Sequence, residues 1–99
     1  MSAYWIGLAK VRDTDAMRRY GELAGRTASI HPGQQIVVRG GAYRVLEGSG
    51  DFDRHVILRF GSMEEALRYY HSPECQAAAA IRQAACERCE LLITEDANY

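Results

Sequence analysis

An excess of charge of either sign is missing from this chain: 12 basic residues stand against 13 acidic ones, with no run of like charge. That absence removes the electrostatic footprint that a phosphate backbone or an anionic membrane surface would attract, so neither nucleic acid nor membrane is an expected partner. No apolar stretch approaches the roughly 20 residues that span a bilayer. The start, Met1-Ser2-Ala3-Tyr4-Trp5-Ile6, lacks the basic and apolar regions of a signal peptide, and the expected location is the cytoplasm. Cysteine is sparse and odd in number, with Cys75, Cys86 and Cys89 alone. In a chain large enough to fold without staples this argues against a disulfide framework and for reduced thiols. No repeat, low-complexity tract or linker divides the 99 residues. They are expected to form a single domain, 1–99, that buries roughly two thirds of the surface its unfolded form exposes.

What is there is a regular alternation of strand and helix signals. Residues 3–11 are aromatic and aliphatic, and period-two alternation puts Tyr4, Ile6 and Leu8 on one face and Trp5, Ala9 and Val11 on the other. Asp13 is placed to cap a helix that carries Met17, Tyr20, Leu23, Ala24 and Thr27 at helical spacing, before Pro32-Gly33 stops it. A long β-rich run is expected over 35–47, with Gly40-Gly41 marking a bulge, a bend or a close approach of another group. A turn at 48–51 returns the chain as a strand over 54–60. Ser62 with Glu65 makes a capping box, and Ser72-Pro73 restarts a helix, so the second helical region is expected in two segments with a kink near His71. Residues 89–94 close the chain as a fourth strand. The resulting βαββαβ order is an α+β, ferredoxin-like fold: right-handed crossovers put both helical regions on one face of a four-stranded antiparallel sheet. Because the strands are apolar on both sides, the bare face needs a cover, and a second copy in a homodimer is the simplest one.

Three stretches resemble the uncharacterised domain-of-unknown-function 1330 family. They run from His31-Pro32-Gly33 to Val38-Arg39-Gly40-Gly41, over Val45-Leu46-Glu47-Gly48, and from Ser62 to Gln76, ending Tyr70-His71-Ser72-Pro73-Glu74-Cys75-Gln76. Cys75 stands where an aromatic residue is usual, and Pro32 interrupts what is usually Gly-Gly. The resemblance implies a dimeric α/β barrel, a superfamily that also holds cofactor-free monooxygenases, haem-degrading enzymes and isomerases. It names no reaction, since one fold hosts many chemistries.

The candidate functional residues follow from side-chain chemistry at their positions. Arg39, beside two glycines, can offer a bidentate fork to a carboxylate where bare backbone leaves room for a ligand; alternatively it pairs with Glu47 or a helix acid. His31, just past the first helix, is a candidate general base if it faces a pocket, and otherwise a charge at a helix C-terminus or a satisfied loop group. Tyr20, Tyr43, Tyr69 and Tyr70 are candidate cavity walls with polar tips or ordinary core residues, and Tyr20 and Tyr70 are taken forward as ligand contacts. Ser72 is a further candidate contact, although capping explains a serine before proline at a helix start. His55 and His71 complete no metal or nucleophile pattern, and no metal site is expected. Cys86-Glu87-Arg88-Cys89 is a C-x-x-C match that follows a helix instead of preceding it, so the helix dipole does not favour thiolate there. The expected function is binding of a small carboxylate-bearing or aromatic molecule in a pocket between sheet and helices, with no cofactor. The alternatives are a cofactor-independent monooxygenase or isomerase and a non-catalytic dimeric module.

Overall fold

The computed structural model describes residues 1–30 and 33–97. In chain order the elements are β1 (Ala3–Val11), α1 (Thr14–Ile30), β2 (Gln35–Arg39), β3 (Arg54–Phe60), α2 (Met63–Tyr70), α3 (Pro73–Ala85) and β4 (Cys86–Glu95). The expected βαββαβ order holds, with the second helical region in two pieces. The four strands form one antiparallel sheet in the order β2-β3-β1-β4. Among the described residues no helix is long and apolar enough to cross a membrane.

The helix boundaries follow from their capping groups. Asp13 Oδ1 accepts from the Ala16 amide at 3.0 Å and begins α1. The Ser62 hydroxyl accepts from the Glu65 amide at 3.1 Å, while Glu65 reaches back to the Gly61 amide at 3.1 Å, one residue beyond the usual capping-box partner. His71 ends α2 and Ser72 caps α3, whose first residue is Pro73. The two segments of the expected kinked helix are thereby separated at His71 and Ser72.

One expected element is much shorter than the sequence suggests. The strand expected over 35–47 ends at Arg39, and 40–53 runs as irregular chain. A Cβ at Gly40 would fall on the His55 carbonyl oxygen, so the glycine serves a close approach of β2 to β3. Beyond it, Val45 and Leu46 are 47% and 89% exposed, with no strand paired to them among the described residues, and Gly48 and Gly50 turn the chain at positive φ. The loop is tied down at its end: the Asp53 amide donates to Ala9 O at 2.9 Å, and Asp51 accepts from Lys10 and Arg88.

The core is asymmetric. Trp5, Phe60, Ala66, Tyr69 and Cys75 form a buried cluster under α2 and the start of α3. The Trp5 ring lies 5.6 to 5.9 Å from those of Phe60, Tyr69 and Tyr70. By contrast, α1 packs chiefly on α3, where Ala78 and Ala79 are buried, and its backbone stands off the sheet. Its start is pinned to the end of α3, since the Arg12 and Asp13 amides both donate to Ala85 O at 2.9 Å. A helix held beside its neighbour instead of on the strands leaves space beneath it.

Candidate functional site

That space is a cavity of about 870 Å³ between α1, α3 and the inner face of the sheet. Register explains its floor. Directly opposed residues share a face, so the inner face reads as rows across the strands. The first row is Ile36, Leu58, Trp5, Ile93; the second Arg39, Val56, Gly7, Leu91; the third Arg54, Ala9, Cys89. On β1 the inward side chains drop from tryptophan at 5 to glycine at 7 and alanine at 9. On the facing helices Gly21, Ala24, Gly25 and Ala78 are similarly small. Small residues on both sides are what keep the interior from closing.

Two register shifts decide which side chains reach this face. Ile36 and Arg39 are three apart and would point to opposite faces of a regular strand. A bulge between Ile36 and Val38 adds one residue, so Ile36 faces inward with Leu58 and Arg39 faces inward with Val56. The second shift, at Lys10/Val11, does the same for Cys86 and Cys89, opposite Val11 and Ala9. Cys86 Sγ packs 4.0 Å from Met17 Sδ, and Cys89 borders the cavity. All three cysteines are free thiols. Burial pushes the Cys75 and Cys86 thiols above their ordinary value, which keeps them protonated and poor nucleophiles.

Of the residues singled out from sequence, Arg39, Tyr20 and Tyr70 border the cavity together. His31 lies outside the described residues. Ser72 is not among the residues that line the cavity; its hydroxyl donates to Tyr69 O at 2.6 Å and accepts from the Cys75 amide at 3.2 Å, so both its hydrogen-bonding roles are taken by the turn between α2 and α3. His55 lies on the opposite face of the sheet, its ring 4.6 Å from that of Tyr43, and His71 is exposed at the end of α2. Among the described residues no cluster of three metal-ligating side chains occurs.

Tyr69 is a buried wall of the cavity. Its hydroxyl lies 2.9 Å from Thr27 Oγ1, and the Thr27 proton goes to Ala24 O at 2.8 Å, so Tyr69 is the donor in that pair. Burial pushes the phenol above its ordinary value. Gln34 sits near it at the cavity edge, and its buried amide nitrogen completes no hydrogen bond among the described residues.

Arg82 and Arg54 were missed from sequence. Arg54 alternates with Val56, Leu58 and Phe60, so strand periodicity alone places it on the inner face. Arg82 follows Cys75 and Ala78 at seven and four residues' distance, on the same side of α3, so a cation interrupts a face of small residues. Its Nη1 donates to Tyr20 Oη at 3.2 Å, and its guanidinium carbon lies 5.4 Å from the centre of that ring. A planar guanidinium beside the Tyr20 hydroxyl can bind an anionic group while the rest of a molecule fills the space along the sheet.

These features define the class: a ferredoxin-like α+β protein with a ligand-sized cavity between its helices and its sheet. The chain belongs to the family described as domain of unknown function (DUF1330), whose model matches residues 2–97. Among solved structures it is similar to the RPA0582 protein of unknown function from Rhodopseudomonas palustris, with a TM-score of 0.78 and 21% identity over 99% of this chain and 84% of that one. It is also similar to a dimeric ferredoxin-like protein of unknown function from Bacteroides fragilis, with a TM-score of 0.72 and 18% identity over 96% of each chain. A third similar structure is the hydroxynitrile lyase from Passiflora edulis, with a TM-score of 0.77 and 15% identity over 99% of this chain and 96% of that one. At such identities the likeness establishes the fold. No curated protein matches the sequence.

Proposed function

We propose that this protein is a cytoplasmic homodimer that binds a small organic molecule in the cavity between α1, α3 and the sheet, with Arg39 as a polar anchor and Tyr20 and Tyr70 as walls. The observation that carries the reading is the cavity itself: about 870 Å³ kept open by Gly7, Ala9, Gly21 and Gly25, and bordered by three arginines, Arg39, Arg54 and Arg82, that have no carboxylate partner among the described residues. Space of that size is in the range of small-molecule sites.

The dimer is supported by the outer face of the sheet. There one row reads Val38, Ile57, Ile6, Leu92 across all four strands, with Val38 and Leu92 39% and 53% exposed. The rows on either side carry polar groups: Gln35, Arg59 and Thr94 on one, His55 and Glu90 on the other. An apolar centre with a polar rim is the usual anatomy of an association surface. The description of the Bacteroides fragilis neighbour as dimeric agrees with it.

Native mass spectrometry of freshly purified protein, compared with the denatured mass, tests both parts. The expected species has twice the 11.1 kDa chain mass and carries a retained small molecule. A bare monomer that takes up nothing from an organic-acid mixture would sink the proposal. In the same assay Arg39→Ala should lose ligand while keeping the melting temperature nearly unchanged, since Arg39 makes no ion pair among the described residues that its removal would break.

A further inference from the structure

The cavity changes character along the strands. At the first inner row it is apolar and aromatic, with Trp5 and Leu58 below and Tyr69 and Tyr70 beside them. Two rows further on it is cationic: Arg54 and Cys89 stand on either side of Ala9, and Arg82 comes down from α3 next to Cys89. From Trp5 to Ala9 the strand advances four residues, about 13 Å at roughly 3.3 Å per residue.

Arg82 is the half-buried member of the cationic end. Among the described residues it has no acid partner; its companions are the Tyr20 hydroxyl and the Cys89 thiol. A guanidinium stays charged under all folding conditions, and a charge withdrawn from water without an opposite charge is costly. Of the other charged groups that border the cavity, Arg18 is paired with Asp15 at 3.2 Å and Glu90 with Arg88 at 3.2 Å. Glu22 also borders the opening, which disfavours a ligand of high negative charge.

We propose that the cavity takes an elongated amphipathic monocarboxylic acid, its apolar end against Trp5 and Leu58 and its carboxylate held by the Arg82 guanidinium with Arg54 across Ala9. This rests on the reading of the cavity as a ligand site and adds the ligand's class and direction. The carboxylate supplies the acceptors that the Arg82 fork lacks, in bidentate geometry. The length between the two ends matches a medium-chain fatty acid or an arylalkanoic acid. Arg39, opposite Val56 in the neighbouring row, adds a third cation beside that end, in keeping with its role as polar anchor.

Trp5 is the only tryptophan and lines the apolar end, so its emission reports filling of the cavity. Titration with decanoate and with 1-decanol, followed by Trp5 fluorescence, gives the test. The expected result is a change with both probes and at least about tenfold tighter binding of the acid. Arg82→Gln should remove most of that preference and leave decanol binding as it was. Arg82→Lys, which keeps charge without the fork, should fall between. Arg54→Gln, on an exposed strand end, repeats the test should Arg82→Gln fail to fold, and it should lower the acid preference too. Equal affinity for acid and alcohol, or an undiminished preference in Arg82→Gln and Arg54→Gln, overturns the assignment while leaving a ligand cavity in place. No response of Trp5 to either probe overturns the ligand-site reading along with it.

Discussion

The two faces of the sheet are made from the same four strands and differ in what stands in their central rows. Outside, the central row is Val38, Ile57, Ile6, Leu92, all branched and aliphatic, level with one another and partly in water. Inside, tryptophan gives way to Gly7 and Ala9, and bulk is displaced to the ends. A face of even height is suited to lie against another flat face, and a face with a depression is suited to hold something small. Alternation alone makes both faces apolar; the sizes of the side chains at alternate positions separate an association surface from a cavity floor.

That contrast can be broken most severely at its packed end. Trp5 is 5% exposed and touches three aromatic rings, so Trp5→Ala should cost about 3–5 kcal/mol in a denaturant titration, collapsing the apolar end of the cavity. Retention of stability would mean the inner face is not organised around that ring. On the outer face, Ile57→Glu should weaken the proposed dimer by roughly 2 kcal/mol or more, read as a fall in light-scattering mass towards the 11.1 kDa monomer, with the response of Trp5 to ligand preserved. Loss of both together would show that the two faces do not act separately. Ser72→Ala should cost about 1–2 kcal/mol, because it removes the α3 cap and leaves the Cys75 amide unpaired, and it should not alter ligand affinity. A large affinity change with intact stability would return Ser72 to the binding site.

The smallest effect is one of pH. Burial holds the Cys75, Cys86 and Tyr69 protons more tightly in the folded state than in the unfolded chain. Below the ordinary thiol range both states are protonated and nothing changes. As pH rises above it, the unfolded chain releases protons first, so stability declines until the folded groups ionise as well. Denaturant midpoints measured from neutral to mildly alkaline pH should fall gradually, and Cys75→Ala should flatten the slope.

Much of the fold was legible in short-range patterns. The caps at Asp13, Ser62 and Ser72, the proline that opens α3 and the two-residue alternation of β1 and β3 are local signals with local causes, and each appears in place. The site was legible only in part. Arg39, Tyr20 and Tyr70 meet at the cavity, but Arg82 was lost among helix positions that carry no sign of what faces them. The segment after Gly40 has strand composition and lacks a strand to pair with, and composition does not report the absence of a neighbour.

By itself, then, the sequence determined the order of elements, their ends and the apolar character of both sheet faces, because capping, proline geometry and periodicity act over a few residues. Tertiary structure decided the rest. The bulge at Val37, which turns Arg39 inward, depends on how β2 registers against β3. The cavity depends on α1 resting upon α3 instead of the strands, and the convergence of Arg54 and Arg82 on one end of it joins residues 28 positions apart. Those are relations between elements, set by register and by the volumes of side chains that meet across space, and no window of sequence contains them.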